Sequence, residues 1–167
     1  MSYNAAGVLA HMSSDGVAAW TISKPKRETV LRKMVSAIER WELSTERNIN
    51  YRSFQPILGL LKIQHTPECQ HWAAWALANL TTVYREYFTL TTIELKISLS
   101  LHSLIFFLIS AKKYCSLVEN EGGIQLLEEI ISSETSYRRI KELARIVINN
   151  CQHFKESGSM ETDQLHG

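Results

Sequence analysis

HWAAWALANLTTVY, residues His71–Tyr84, is the stretch on which the fold turns. Its Ala73, Ala74, Ala76, Leu77 and Leu80 follow no strict alternation, and Trp72, Trp75 and Ala78 fill much of the remaining circumference. Ala and Leu lose little side-chain entropy in a helix, so the segment reads as helical. A helix that is apolar nearly all round must lie between other helices. Alanines permit close approach, and the two indoles fill the outer gaps. Asn79 is the one strongly polar interruption near its C-terminal end.

Composition supports a helical surrounding. The 167 residues allow one domain with a real core, 45% of them are apolar, and Gly and Pro are scarce. A formal net charge of +1 provides no basic field for nucleic acid. Cys69, Cys115 and Cys151 are too few and too scattered for a disulfide framework. The first residues, MSYNAAGVLAHMSSDG, lack a charged segment followed by an unbroken apolar run, so no signal peptide is expected. The expectation is a cytoplasmic or nuclear chain with reduced thiols, no cofactor and no metal.

Taken in order, Ser2–Ser13 carries the same pattern, with Ser2 as N-cap and Asp15-Gly16 as the break. Ser23-Lys24-Pro25 starts a helix whose stripe is Val30, Met34, Ala37, Ile38 and Trp41. Glu42–Asn50 reads as a loop. Tyr51–Ile63 holds a short apolar helix with Pro56 in its first turn, and Thr66 is the expected N-cap of the central helix. Beyond Tyr84 the texture changes over Arg85–Ala111. It returns with a short helix at Lys113–Val118, a turn at Glu121-Gly122-Gly123, a short helix at Ile124–Ser132 and a longer one over Tyr137–Cys151. The polar tail 156–167 is expected to be disordered.

Three segments align: AAGVLAHM from Ala5, AAWALANL from Ala73 and LARIVINN from Leu143. Ala6, Ala74 and Ala144 share one place, Leu9, Leu77 and Val147 another, and the polar His11, Asn79 and Asn149 a third. A short glycine-marked helix precedes each of the last two. That order resembles the second and third helices of an armadillo repeat, whose period is about 40–47 residues. The fold class expected is therefore all-α, an armadillo-like α-solenoid, here a truncated piece. In such solenoids the third helices line a concave groove, and asparagines there bond an extended peptide. His11, Asn79 and Asn149 are candidates for that role, with Trp75 or Trp72 as apolar contact; the alternative is that they cap helix ends or face solvent.

The alanine positions lie 68 residues apart (Ala6 to Ala74) and 70 apart (Ala74 to Ala144), both too long for one repeat. The Lys26–Trp41 helix and its loops account for the first excess. The second is accounted for if Arg85–Ala111 is foreign. SYNAAGVLAHM, RNINYRSFQPIL, QHWAAWALANLTTVY, YCSLVENEGGIQLL and RRIKELARIVINNC resemble the C-terminal part of the zyg-eleven family. In one branch of that family the central helix continues through Val-Tyr-Pro-x-Lys-Tyr-Cys, whereas here Tyr84 and Lys113-Tyr114-Cys115 stand apart. The domain division expected is 1–84 and 112–155 as repeats, with 85–111 a translated intron between them. Its removal, with one proline formed at the joint, shortens the second spacing to 44 residues.

The resemblance implies a non-catalytic substrate receptor of a Cullin-2 RING ubiquitin ligase, with elongin and Cullin-2 held by regions absent from this chain. It implies recognition of proteins that begin with glycine or another small residue. The pocket motifs associated with that role, a Trp-Asn-Leu-Thr-Asp helix and an Asn-Asn-Ile-Ala-Glu helix, do not occur here. Ala78-Asn79-Leu80-Thr81-Thr82 has Ala for Trp and Thr for Asp. The chain thus corresponds to the supporting end of the solenoid. A generic armadillo peptide-binding adaptor is the alternative.

Other readings are weaker. The apolar run Ile97–Ile109 contains three serines and His102 and is shorter than the roughly 17–25 residues of a membrane span. Cys69-Gln70-His71 and Cys151-Gln152-His153 have a spacing that points their ligands to different sides of a helix. His11, Asp15 and Ser13 or Ser14 lack a nucleophile elbow or an oxyanion-hole glycine run, and Glu128 and Glu129 splay apart as neighbours on a helix. The splice reading has a direct check. The codons of Arg85–Tyr87 and of Ile109–Ala111 are expected to carry GTGAGT and TTTCAG, respectively, in genomic DNA, and their absence refutes it.

Overall fold

The computed structural model describes residues 2–14, 23–41, 50–82 and 101–163, the side chains of the last segment over 109–156. Seven helices make up the described chain: α1 (Tyr3–Ser14), α2 (Lys24–Ile38), α3 (Gln55–Leu61), α4 (Pro67–Thr81), α5 (Leu101–Asn120), α6 (Gly123–Ser132) and α7 (Arg138–Asp163). No strand occurs among the described residues. The expected break at 15–16, and 42–49 and 85–100 of the expected loop and insertion, lie outside the described residues.

All three prolines open a helix, at the first turns of α2, α3 and α4, where a missing N–H breaks no ladder. Ser2 caps α1, its Oγ accepting the Ala5 N–H at 3.4 Å. Thr66 occupies the N-cap position of α4 as expected, though its side chain makes no capping bond. Its ψ of 81° falls short of the extended geometry that aims a cap hydroxyl at the first turn, and the residue is buried. At the other end α4 stops at Thr81, because Thr82 turns to an extended backbone with ψ of 134°.

α4 is enclosed: every residue from Cys69 to Thr81 is buried. It packs against α1, α2, α3, α5 and α7, so the three alanine-bearing helices α1, α4 and α7 stand side by side. Short α3 packs on α4 and on short α6, while α6 packs on α7. α2–α3–α4 and α5–α6–α7 thus repeat one long–short–long order, and α1 occupies the place of a preceding third helix. This is the all-α helical repeat that the alanine alignment predicts.

Two helices are longer than expected. The short helix placed at Lys113–Val118 is the last third of α5, which begins at Leu101 inside the stretch assigned to the insertion. Nothing in LHSLIFFLISA breaks a helix, so the ladder runs through without Gly or Pro. The tail expected to be disordered from Glu156 is helical to Asp163, since the ladder of α7 continues past Lys155, whose Nζ lies 3.3 Å from Glu119. Residues 164–167 lie outside the described residues.

The turn at Glu121-Gly122-Gly123 is where α5 reverses into α6. Gly122 has φ +79°, the left-handed region that a side chain disfavours. Gly123 packs so closely that an added Cβ would lie 2.8 Å from the Val118 carbonyl oxygen. Glu121 ties this turn to the first triplet: its Oε2 accepts the Phe54 N–H at 2.7 Å and the Ser53 hydroxyl at 3.1 Å. Beside the aromatic wall, a Cβ on Gly7 would meet Trp72 at 2.7 Å, whereas one on Gly59 would meet nothing within 4 Å.

These contacts predict an order of stabilities in urea unfolding. Gly7→Ala and Gly123→Ala should each lose about 1–3 kcal/mol by overpacking, and Gly59→Ala should gain about 0.5–1 kcal/mol by removing helix-interior backbone entropy. The reverse order would refute this packing. A second outcome concerns pH. The Cys69 thiol donates to the Ala10 carbonyl at 3.1 Å, and burial, with a smaller contribution from Glu68, pushes its pKa up to about 12. A raised acid pKa favours the folded state while the thiol is protonated, so that stability is intact below pH 9 and declines as pH rises toward 12. Cys69→Ala should flatten the fall of the thermal midpoint above pH 9, and an unchanged slope would remove the cause assigned here.

Candidate functional site

The four residues singled out for a peptide groove are distributed unevenly. His11 on α1 is exposed, with its ring edge-on to Trp72 at 6.1 Å between centroids. Asn149 on α7 is exposed. Asn79, on the α4 between them, is buried at 8% exposure. Trp75 is enclosed by Trp41 at 5.0 Å and Tyr3 at 5.9 Å, at 6% exposure, and Trp72 is covered by Tyr3 at 5.5 Å. The indoles therefore build the wall from within rather than offering it an open apolar surface. The Tyr3 hydroxyl shares a hydrogen bond of 2.8 Å with Tyr51, and burial, then that bond, raise its pKa well above the usual phenol value.

Asn150, beside Asn149, makes the contact that the alignment does not reveal. Its Nδ2 donates to Thr81 Oγ1 at 3.2 Å and to Thr82 Oγ1 at 3.3 Å. Those hydroxyls in turn donate back to α4, Thr81 to the Leu77 carbonyl at 2.9 Å and Thr82 to the Ala78 carbonyl at 2.6 Å. The signal was present in the helical period: Asn150 lies three residues after buried Val147 and shares its side of α7, whereas Asn149 is turned from it.

The Cys-x-His units diverge. Cys69 points to α1 through its bond to Ala10, while His71 lines a cleft against α2 and α7. Cys151 is buried beside the Cys115 carbonyl, and His153 is exposed. Among the described residues no group of three His, Cys, Asp or Glu side chains could hold a metal ion, and no helix is long and apolar enough to cross a membrane.

That cleft, about 460 Å³ in volume, is the feature that sequence reading missed. Arg32 of α2 and Glu39 just past its end, Glu68 and His71 at the start of α4, and Arg138 and Arg139 at the start of α7 line it. His71 is 5% exposed and its Nε2 has no hydrogen-bond partner. Burial holds its pKa below the ordinary imidazole value, with nearby Arg139 in the same direction and Glu39 opposing. Glu142 accepts from Arg138 Nε at 2.9 Å and Arg139 Nη1 at 3.2 Å, which holds its carboxyl below the usual range. The signal available in the sequence was two consecutive arginines at a helix start, where the macrodipole disfavours cations.

Known proteins resemble the chain along nearly its whole length. A family described as "Protein zer-1 homolog-like, C-terminal domain" matches residues 1–107 and 101–153. "Protein zer-1 homolog" of Drosophila melanogaster is 52% identical over 159 residues, 95% of this chain and 16% of the relative. The Homo sapiens protein of the same name is 42% identical over 164 residues, 98% of this chain and 18% of the relative. "Zyg eleven-related protein 1" of Caenorhabditis elegans is 41% identical over 169 residues, 99% of this chain and 16% of the relative. The chain spans less than a fifth of the length of these relatives. With matched segments reaching from residue 1 to residue 153 and a stack of helical repeats beneath them, this chain belongs to the zer-1 homolog-like C-terminal domain family.

Proposed function

We propose that this chain is the C-terminal supporting part of a substrate receptor for a Cullin-2 RING ubiquitin ligase, one that takes proteins beginning with glycine or another small residue. Membership of the zer-1 homolog-like family is the observation that carries this reading. The enclosed α4 and its neighbours suit a supporting role, because a helix buried on all sides holds adjoining repeats at a fixed angle. Elongin and Cullin-2 engage other regions of such a receptor, and ubiquitin transfer belongs to other subunits, so the chain acts without catalytic residues. Exposed His11 and Asn149 flank α4 and remain available to a substrate backbone.

A chimera tests the proposal. The matching segment of the Drosophila melanogaster relative is replaced by this chain, or by a version in which proline replaces residues 85–111. Loss of a reporter with N-terminal glycine is then followed in cells lacking the relative. The proline-joined chimera should restore loss of the glycine reporter and spare one whose N-terminus is acetylated. Failure of both versions, with the native segment active, would refute the reading. Equal loss of both reporters would instead favour a generic armadillo adaptor.

A further inference from the structure

The alanine-bearing helices α7 and α4 each turn the same side toward the helix before them. Asn150 of α7 donates to Thr81 and Thr82 of α4. α4 in turn meets α1 through Cys69, which donates to the Ala10 carbonyl, and through Trp72, which lies against Gly7 and His11. Residues three and four apart share one side of a helix, so Cys69, Trp72, Ala73, Ala76 and Leu80 form a single stripe, and all five are buried. In the alanine alignment Leu80 and Asn150 hold one place, and Met12 is their counterpart on α1. Ala5 and Val8 are the counterparts of Ala73 and Ala76.

On α1 that stripe faces water. Ala5 is exposed, Val8 is 60% exposed and Met12 45%, whereas the equivalent residues of α4 are enclosed. Nor does the helix carry the charges that an outward side ordinarily has: YNAAGVLAHMSS contains no Asp, Glu, Lys or Arg. The far end of the stack differs. Gly7 and His11, which lie against Trp72 of α4, correspond on α7 to Arg145 and Asn149, both exposed. A polar outer side is what a closing repeat requires. The stack is finished at α7 and open at α1.

We propose that the Ala5–Val8–Met12 side of α1 is a docking surface for one further helix of the same kind, the third helix of a repeat that precedes this chain in a longer protein. The chain makes up 16% to 18% of its relatives, and the family is described as a C-terminal domain, so the relatives have length ahead of this surface to supply such a helix. The occupant is uncharged along the contact and small opposite Val8, as α1 itself offers Gly7 and the Ala10 backbone to α4. This inference rests on the supporting role proposed above and makes α1 the joint through which that support acts.

Hydrogen exchange read by mass spectrometry, on the chain alone and on the purified chimera with the Drosophila melanogaster relative, tests it. Amides of Tyr3–Ser14 should exchange at least about tenfold more slowly in the chimera, as burial of a Val or Met side chain implies, while those of α6 exchange alike in both. Val8→Lys should not raise exchange in the chain alone, where the side chain is exposed. In the chimera it should remove the added protection of α1 with α6 unaffected, and Val8→Ile should keep it. Tyr137→Lys, at another exposed apolar position, should leave α1 unchanged in both. Equal exchange of α1 in chain and chimera, or a Val8→Lys chimera with protection intact, would overturn the proposal. So would sedimentation of the chain alone as a dimer that Val8→Lys returns to monomer, which would give the surface to a second copy. A chimera that protects α1 yet spares the glycine reporter would support the joint while refuting the receptor reading.

Discussion

A helix with no solvent face governs this molecule. From Cys69 to Thr81 α4 has no exposed residue, and five other helices pack against it. Such enclosure requires that polar side chains on α4 find partners within the protein. Gln70 donates to the Leu61 carbonyl at 2.7 Å, Cys69 to Ala10, and Thr81 to its own helix. The nitrogens Trp72 Nε1, Trp75 Nε1 and His71 Nε2 do not. An unmade buried hydrogen bond costs about 1–3 kcal/mol. Each indole buries roughly 150–250 Å², worth about 4–6 kcal/mol at 25 cal/mol per Å². Burial therefore outweighs the loss for the tryptophans. The smaller imidazole of His71 has less apolar surface to set against it.

Around that helix several polar contacts fall between repeats. Glu121 reaches Phe54 and Ser53, Asn150 reaches Thr81 and Thr82, and Lys113 Nζ donates to Asn50 Oδ1 at 2.6 Å. Each joins the α5–α6–α7 triplet to the one before it. In a stack where stability is a sum over neighbours, such bonds fix the register between units whose apolar faces alone would tolerate sliding. The aromatic cluster of Tyr51, Phe54 and Tyr114, with centroids 5.5–6.5 Å apart, lies on the same boundary.

Much of this fold was legible because alanine spacing carries a geometric meaning. Ala6, Ala74 and Ala144 mark the three helices that stand together, and all three are fully buried. Prolines at three helix starts and glycines at the α5–α6 turn are local rules with local consequences. Helix ends were less legible. α5 extends back to Leu101 because continuation of a ladder needs only the absence of a breaker, and composition had separated segments that the backbone joins. Thr66 shows the converse: its residue type suits a cap, but burial and backbone angle decide whether the hydroxyl serves. The candidate site was least legible. Asn149 and Asn150 differ by one residue and therefore by about 100° around a helix, enough to put one in solvent and the other against α4.

An enclosed helix has a further consequence for where chemistry is possible. Its lateral surface is occupied, so only its ends can meet a ligand. At the C-terminal end, Thr81 and Thr82 are already bound by Asn150, and that end is closed by the protein itself. At the N-terminal end, His71 borders a cleft that arginines and carboxylates of neighbouring elements also line, while its Nε2 stays buried and unpartnered. The exposed His11 and Asn149 belong to the flanking α1 and α7, which still have outward faces. The constraint that holds the stack together also decides what it exposes: the flanking helices keep outward sides, and α4 keeps only its start.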